Sequence, residues 1–202
     1  MGPHRSEHHL QLFDSSKSLA ETVSAFLLGG FGRGENLLVV ATPEHRELLS
    51  KRLEDAGVSV REAVAANRLV MLDATQTMDK FMRQDSPNAV AFEEVVGTLV
   101  QRLANGRRVW IYGEMVDVLA ARGNLKGAQQ LEELWNALGR RECFTLFCGY
   151  ASGHFGDPKT ARALGAICAA HDHVHHKADD ILAEFLLEQR DVKASRQAVP
   201  GA

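Results

Sequence analysis

Short unbroken apolar runs alternate along this chain with longer stretches whose apolar residues recur at helical spacing. Residues 8–13 (HHLQLF) read as a short strand. Ser15 is placed to cap a helix carrying Leu19, Val23, Phe26 and Leu27, and the glycines of 29–34 (GGFGRG) are expected to break it. Residues 37–41 contain no polar position, the mark of a strand covered on both faces in a parallel sheet. Thr42-Pro43 predicts a helix start, an N-cap followed by proline at the first helical position, and Leu48, Leu49 and Leu53 follow. Residues 69–72 form another strand, with Asp73 at its carboxyl end. A short helix holds Met78, Phe81 and Met82, and Ser86-Pro87 is expected to open a longer one through Phe92, Val96, Val100 and Leu103. The strand at 109–112 passes through Gly113-Glu114-Met115 into a helix. That helix breaks at Gly123-Asn124 and restarts with a stripe at Leu125, Ala128, Leu131, Leu134 and Leu138. Residues 144–148 are a further apolar run. Asp157-Pro158 starts a helix that includes Leu164, Ile167, Cys168 and His171.

Strands separated by helices of this length require βαβ crossovers, which are right-handed. The predicted fold is three-layer α/β, a mostly parallel sheet with helices on both faces. At 202 residues the chain suits one sizeable domain, here 8–176, followed by a C-terminal helix and tail over 177–202. Ile181, Leu182, Phe185 and Leu186 lie on one side of that last helix and read either as a partner or homodimer surface or as a face packed on the domain.

Composition narrows the partners. A net charge of −3 gives no broad attraction to nucleic acid or to an acidic membrane. No apolar run approaches the ~20 residues of a membrane span, and the start, MGPHRSEHH, lacks the apolar core of a secretory signal. Three irregularly spaced cysteines make no disulfide framework, so a reducing cytoplasm is the expected compartment.

The chemistry begins at 29–34, which has the outer spacing of a P-loop. Glu35-Asn36 follows where Lys and Ser/Thr would be needed for phosphate and magnesium, so no ATP is expected there. Carboxyl ends of strands are where open α/β sheets place ligands, which singles out Thr42, Asp73 and Glu114. The N–H groups of the helix starting at Thr42 could meet a small anion, although Glu44 in the first turn competes. Glu114 reads either as a site residue or as a helix cap, and Glu132 as a solvated face residue.

Cys168, His171 and His175, spaced i, i+3, i+7, would share one helix face. With Cys148 and either His8 or His9 they could ligate a metal or haem, and the competing reading is ordinary core packing. His8 and His9, adjacent in a strand, must point to opposite faces. No G-x-S-x-G elbow supports nucleophilic catalysis, and the cysteines lie in apolar runs that favour an inert thiol.

The order of motifs adds a resemblance. HH-x-x-x-F, G-x-G-E-N, N-R-L-x-x-L-D-A, Y-G-E-M-V, G-N-x-x-x-A-x-x-L-E-x-L-W-N, F-x-L-x-C-x-Y and I-C-x-x-H together resemble the MEDS domain, over roughly residues 8–175. That is the methanogen/methylotroph DcmR sensory domain of bacterial and archaeal signalling proteins. The resemblance implies a RecA/KaiC-like fold that has lost its phosphate loop and senses a ligand instead of hydrolysing ATP. It implies partners such as a histidine kinase or transcriptional regulator, and it marks His8 or His9, Glu114, Cys148, Cys168 and His171. The expectation is therefore a non-catalytic, cytoplasmic small-molecule sensor with His9 and the Cys168–His171 face lining the Thr42, Asp73 and Glu114 cleft. Its rivals are a metal- or haem-dependent redox or gas sensor and a degenerate ATPase.

Overall fold

Among the described residues, eight segments pair as strands: β1 (Glu7–Phe13), β2 (Asn36–Ala41), β3 (Leu69–Asp73), β4 (Met82–Arg83), β5 (Ser86–Pro87), β6 (Val109–Gly113), β7 (Phe144–Ala151) and β8 (His173–His175). In this computed structural model, residues 6–156 and 158–175 are described. The 178–190 helix, with the surface expected on it, lies outside them. Six strands form one sheet in the order β3-β2-β6-β7-β1-β8, and every pairing in it is parallel. The strands β4 and β5 make a separate antiparallel hairpin.

Helices cover both faces. On one lie α1 (Ser16–Gly32), α2 (Pro43–Asp55) and α3 (Val60–Ala65), packed on Leu37, Val39 and Ala41 of β2 through Leu19, Val23, Leu27, Leu49 and Leu53. On the other lie α4 (Ala74–Asp79), α5 (Ala89–Phe92), α6 (Thr98–Ala104), α7 (Met115–Ala121), α8 (Leu125–Gly139) and α9 (Pro158–Ala169). Phe92, Val100, Met115, Leu119, Leu131, Trp135 and Ile167 of this layer share one core with the alternate residues Leu38 and Val40 of β2. Side chains alternate faces along a strand, so only an all-apolar run satisfies both layers. That is the physical reason the 37–41 run was legible. Among the described residues, no helix is long and apolar enough to cross a membrane.

Local signals set the helix starts. Ser15 accepts from Ser18 N and Thr42 from His45 N, each closing an otherwise orphaned amide, with Pro43 at the first helical position of α2. The expected break within 29–34 is present: α1 ends at Gly32 and the chain turns at Gly34, where φ is +76°. The glycines also serve close packing, since a Cβ on Gly30 would lie 2.5 Å from Cγ of Trp110. Three other expectations need correcting. Phe81 and Met82 are not in the short helix, because α4 stops at Asp79 and Met82 enters β4. Ser86-Pro87 does not open a helix but ends the hairpin, and Asn88 caps the helix that follows by accepting from Ala91 N at 2.9 Å. Finally, α9 stops at Ala169, so Cys168, His171 and His175 do not share a helix face. The chain turns where Asp172 N donates to His8 O at 2.8 Å and Asp172 Oδ2 accepts from His8 N at 3.0 Å. His173–His175 then adds a strand to the open edge of β1.

The chain leaves β2 toward β3 and leaves the adjacent β6 in the opposite direction, toward β7. The carboxyl ends of β2 and β6 thus flank a topological switch point, the usual ligand crevice of an open parallel sheet.

Candidate functional site

Glu114 follows β6 directly into that crevice and is 1% exposed. Its Oε2 accepts from Thr42 N at 2.7 Å and its Oε1 from the Tyr112 hydroxyl at 2.6 Å. The ring Nδ1 of His45, from the first turn of α2, bonds to the same Oε1. His45 Nε2 lies 2.9 Å from Ser16 Oγ, and Ser16 donates on to Glu44 at 3.3 Å. With both ring nitrogens facing acceptors, the charged imidazolium fits this setting best. Accordingly, the hydrogen bond to Glu114 raises the His45 pKa above its ordinary value, against the opposing effect of burial. Burial and the Glu114 charge together push the Tyr112 phenol well up.

Glu114 is not the side-chain cap of α7. Its carboxylate is turned across the crevice instead, onto the amide of Thr42, the residue that caps α2. Asp73 lies along the same carboxyl edge at the end of β3. It caps α4 by accepting from Gln76 N at 2.9 Å and meets Arg46 Nη2 at 3.2 Å. Asp117 of α7 accepts from Ala151 N at 2.7 Å and sits 3.0 Å from His154 Nε2. The structure thus gathers Thr42, Asp73 and Glu114 on one edge.

His8, Cys148 and His171 are elsewhere, in the interior between the sheet and the α8–α9 layer, and a fourth residue joins them. Glu132 was expected on a solvated face, yet it is 0% exposed and points inward from α8. Its Oε1 accepts from Tyr150 Oη at 2.8 Å and lies 3.4 Å from His171 Nε2. Its Oε2 lies 3.3 Å from His8 Nε2 and 3.5 Å from Cys148 Sγ. Burial alone would raise the Glu132 pKa, but the imidazoles of His171 and His8 outweigh it and hold the carboxyl well below its ordinary range. Burial and the neighbouring Glu132 push the Cys148 thiol well up.

His9 faces the opposite side of the sheet from His8. It stacks on Phe147 and on His173, and its Nδ1 lies 2.9 Å from His175 Nε2. Burial, then the two neighbouring histidines, lower its pKa. Cys168 is buried in the core beside α8 but is not one of the four grouped residues. The candidate residues therefore divide among three places and do not line one cleft. A cavity of about 870 Å³ opens at the amino edge of β1 and β7, bordered by Ser6, His8, Trp135, Asn136 and Asp172.

The family model described as the MEthanogen/methylotroph, DcmR Sensory domain, MEDS, matches residues 7–171. The chain belongs to the MEDS family. As a MEDS domain it has a sensing role. No curated protein matches the chain. Among solved structures, a KaiC-like protein of the hyperthermophilic archaeon Pyrococcus horikoshii OT3 is similar at 15% identity and a TM-score of 0.48. The match covers 74% of this chain and 64% of that one, so this MEDS chain spans less than two thirds of the solved protein's length. The α/β assignment rests on the sheet order given above, not on this likeness.

Two residues of this MEDS domain were missed in the sequence. His45 lies among polar residues in a first helical turn, 69 positions from Glu114, and no local pattern links them. Glu132 did carry a signal, because it lies four residues after Ala128 and three before Trp135, both buried on α8. Its charge outweighed that spacing.

Proposed function

We propose that this MEDS domain is a non-catalytic receptor. It binds a small molecule at the carboxyl edge of the sheet and reports occupancy to a signalling partner, such as a histidine kinase or a transcriptional regulator, in the cytoplasm. One observation carries the reading: the crevice at the switch point already contains the protein's own buried carboxylate, Glu114, bonded to Thr42 N, Tyr112 and His45. A triphosphate placed there would face a negative charge instead of free amide donors. The 29–34 segment, with the outer spacing of a phosphate loop, leads from α1 into the amino end of β2, whereas a phosphate loop leads from a strand into a helix.

The same contacts supply a transmission route. Glu114 joins β6 to α2, and His45 continues the link to Ser16 at the start of α1. A ligand that takes over the Thr42 or Tyr112 donor would release part of that link and shift the population of α1 and α2 positions. Isothermal calorimetry with ATP and magnesium, beside a thermal-shift screen of small neutral and cationic metabolites, tests the reading. No ATP binding at micromolar concentrations is expected, with a rise in Tm for at least one metabolite. Micromolar ATP binding with hydrolysis that Glu114→Gln abolishes would overturn it.

A further inference from the structure

We infer that His8, Glu132, Cys148 and His171 form a buried binding site for one four-coordinate divalent metal ion of the zinc class. The inference does not depend on what enters the crevice at Glu114. All four residues are buried, at 5%, 0%, 0% and 3% exposure, and their ligand atoms lie within 4.8 Å of one another.

The tautomers point the same way. His8 Nδ1 lies 2.8 Å from Asn136 Oδ1, and the Asn136 amide is oriented by its donation to Ala170 O at 2.9 Å. His171 Nδ1 donates to Ile167 O at 2.7 Å. Each histidine therefore spends its Nδ1 hydrogen on a fixed outer acceptor, and in a neutral ring this leaves Nε2 as a lone pair. Both Nε2 atoms aim at the same interior point, beside Glu132 and the Cys148 sulfur. His171 Nε2 is fully buried there without a hydrogen-bond partner. Outer acceptors that set a histidine's tautomer are the usual surroundings of a metal ligand.

The spacing matches as well. His8 Nε2 lies 3.3 Å from Glu132 Oε2 and 3.3 Å from Cys148 Sγ, Cys148 Sγ lies 3.5 Å from the same Oε2, and His171 Nε2 lies 3.4 Å from the other carboxylate oxygen, Oε1. For nitrogen and oxygen these exceed good hydrogen-bond lengths. Zinc bonds of ~2.0–2.3 Å arranged tetrahedrally place ligand atoms roughly 3.3–3.8 Å apart. Two imidazoles, a thiolate and a carboxylate together suit a borderline-soft ion. On binding, the Cys148 S–H loses its proton to solvent and the thiolate forms the bond to the ion. The cavity at the amino edge borders His8 and Asn136 and supplies a way in.

The test uses the full chain expressed without a histidine tag. Mass spectrometry should find close to one zinc per chain. After chelation, cobalt(II) should give tetrahedral visible bands and a thiolate-to-cobalt charge-transfer band, both bleached by zinc. Cys148→Ser should abolish the charge-transfer band. In Cys143→Ser/Cys168→Ser, where Cys148 is the remaining thiol of the three, the band should persist. The double variant thus decides the matter even if Cys148→Ser fails to fold. Absence of a cobalt band from the wild-type protein would overturn the inference and leave two buried histidines packed around the Glu132 carboxylate. Persistence of the band in Cys148→Ser, or its loss in a folded double variant, would overturn it equally.

Discussion

Glu114 accepts a hydrogen bond from the Thr42 amide at 2.7 Å, across the gap between the ends of β6 and β2. The bond closes the sheet's switch point from inside. A helix N-terminus in that position ordinarily offers free donors to an anion, and here the anion is a side chain of the same protein. A ligand at this edge would have to compete with, or build on, an internal carboxylate.

Glu114→Gln tests how much that carboxylate holds. Both of its oxygens accept: Thr42 N on one, Tyr112 and His45 on the other. An amide can present only one oxygen, so its NH2 must face a donor whichever way it is turned. Hydrogen bonds to a buried charged group are worth about 1.5–3 kcal/mol. A loss of that order is expected in urea unfolding, with the sheet's far-UV signature retained. A change within experimental scatter would mean the crevice is wetter than its burial implies.

His45 gives a pH dependence whose sign follows from its raised pKa, caused chiefly by the hydrogen bond to Glu114. A raised folded-state value means the folded protein holds the proton more tightly than the unfolded chain. The stabilisation is fully present below the unfolded value of about 6.5 and is lost as pH rises through the folded value. Urea midpoints should therefore fall through this window in the wild type. His45→Gln should flatten that part of the profile. An unchanged slope in the variant would assign the dependence to another group.

Gly30 and Gly32 should separate packing from helix propensity. A Cβ at Gly30 meets Trp110 at 2.5 Å, whereas at Gly32 nothing lies within 4 Å. Gly30→Ala should cost about 1–3 kcal/mol, because Trp110 and its strand must shift. Gly32→Ala should be neutral or stabilise by up to about 1 kcal/mol. Thermal unfolding of the two single variants reads this directly, and equal effects would contradict the close approach at Trp110.

These glycines also show what the sequence could and could not convey. The runs 37–41, 109–112 and 144–148 became neighbouring strands because burial on two faces demands apolar residues at consecutive positions. The caps Ser15 and Thr42 were readable because capping depends on residues three positions apart. The 29–34 glycines were readable as a break, but their second use, room for Trp110, depends on a residue about eighty positions later. The strand β8 has only three residues, two of them histidine, and forms because β1 has an unpaired edge. For the sites, strand ends marked Thr42, Asp73 and Glu114, and residue type marked His8, Cys148 and His171. The division into a carboxyl-edge crevice, a buried four-residue group and an outer histidine stack is tertiary. No local spacing encodes it.

Asn136 connects α8 to the buried group without belonging to it. Its carbonyl faces His8 Nδ1 and its amide donates to Ala170 O, so it fixes both the His8 tautomer and the start of the turn after α9. Asn136→Ala removes both contacts while leaving His8, Glu132, Cys148 and His171 in place. Loss of such an outer partner typically weakens metal binding by about 10–100-fold. Zinc competition against a chromogenic chelator should show that drop, with the cobalt charge-transfer band still present at saturation because Cys148 is untouched. Asn136→Asp should restore affinity, since a carboxylate oxygen accepts the same Nδ1 hydrogen. A merely structural role for Asn136 would lower the unfolding midpoint in both variants without this split between alanine and aspartate.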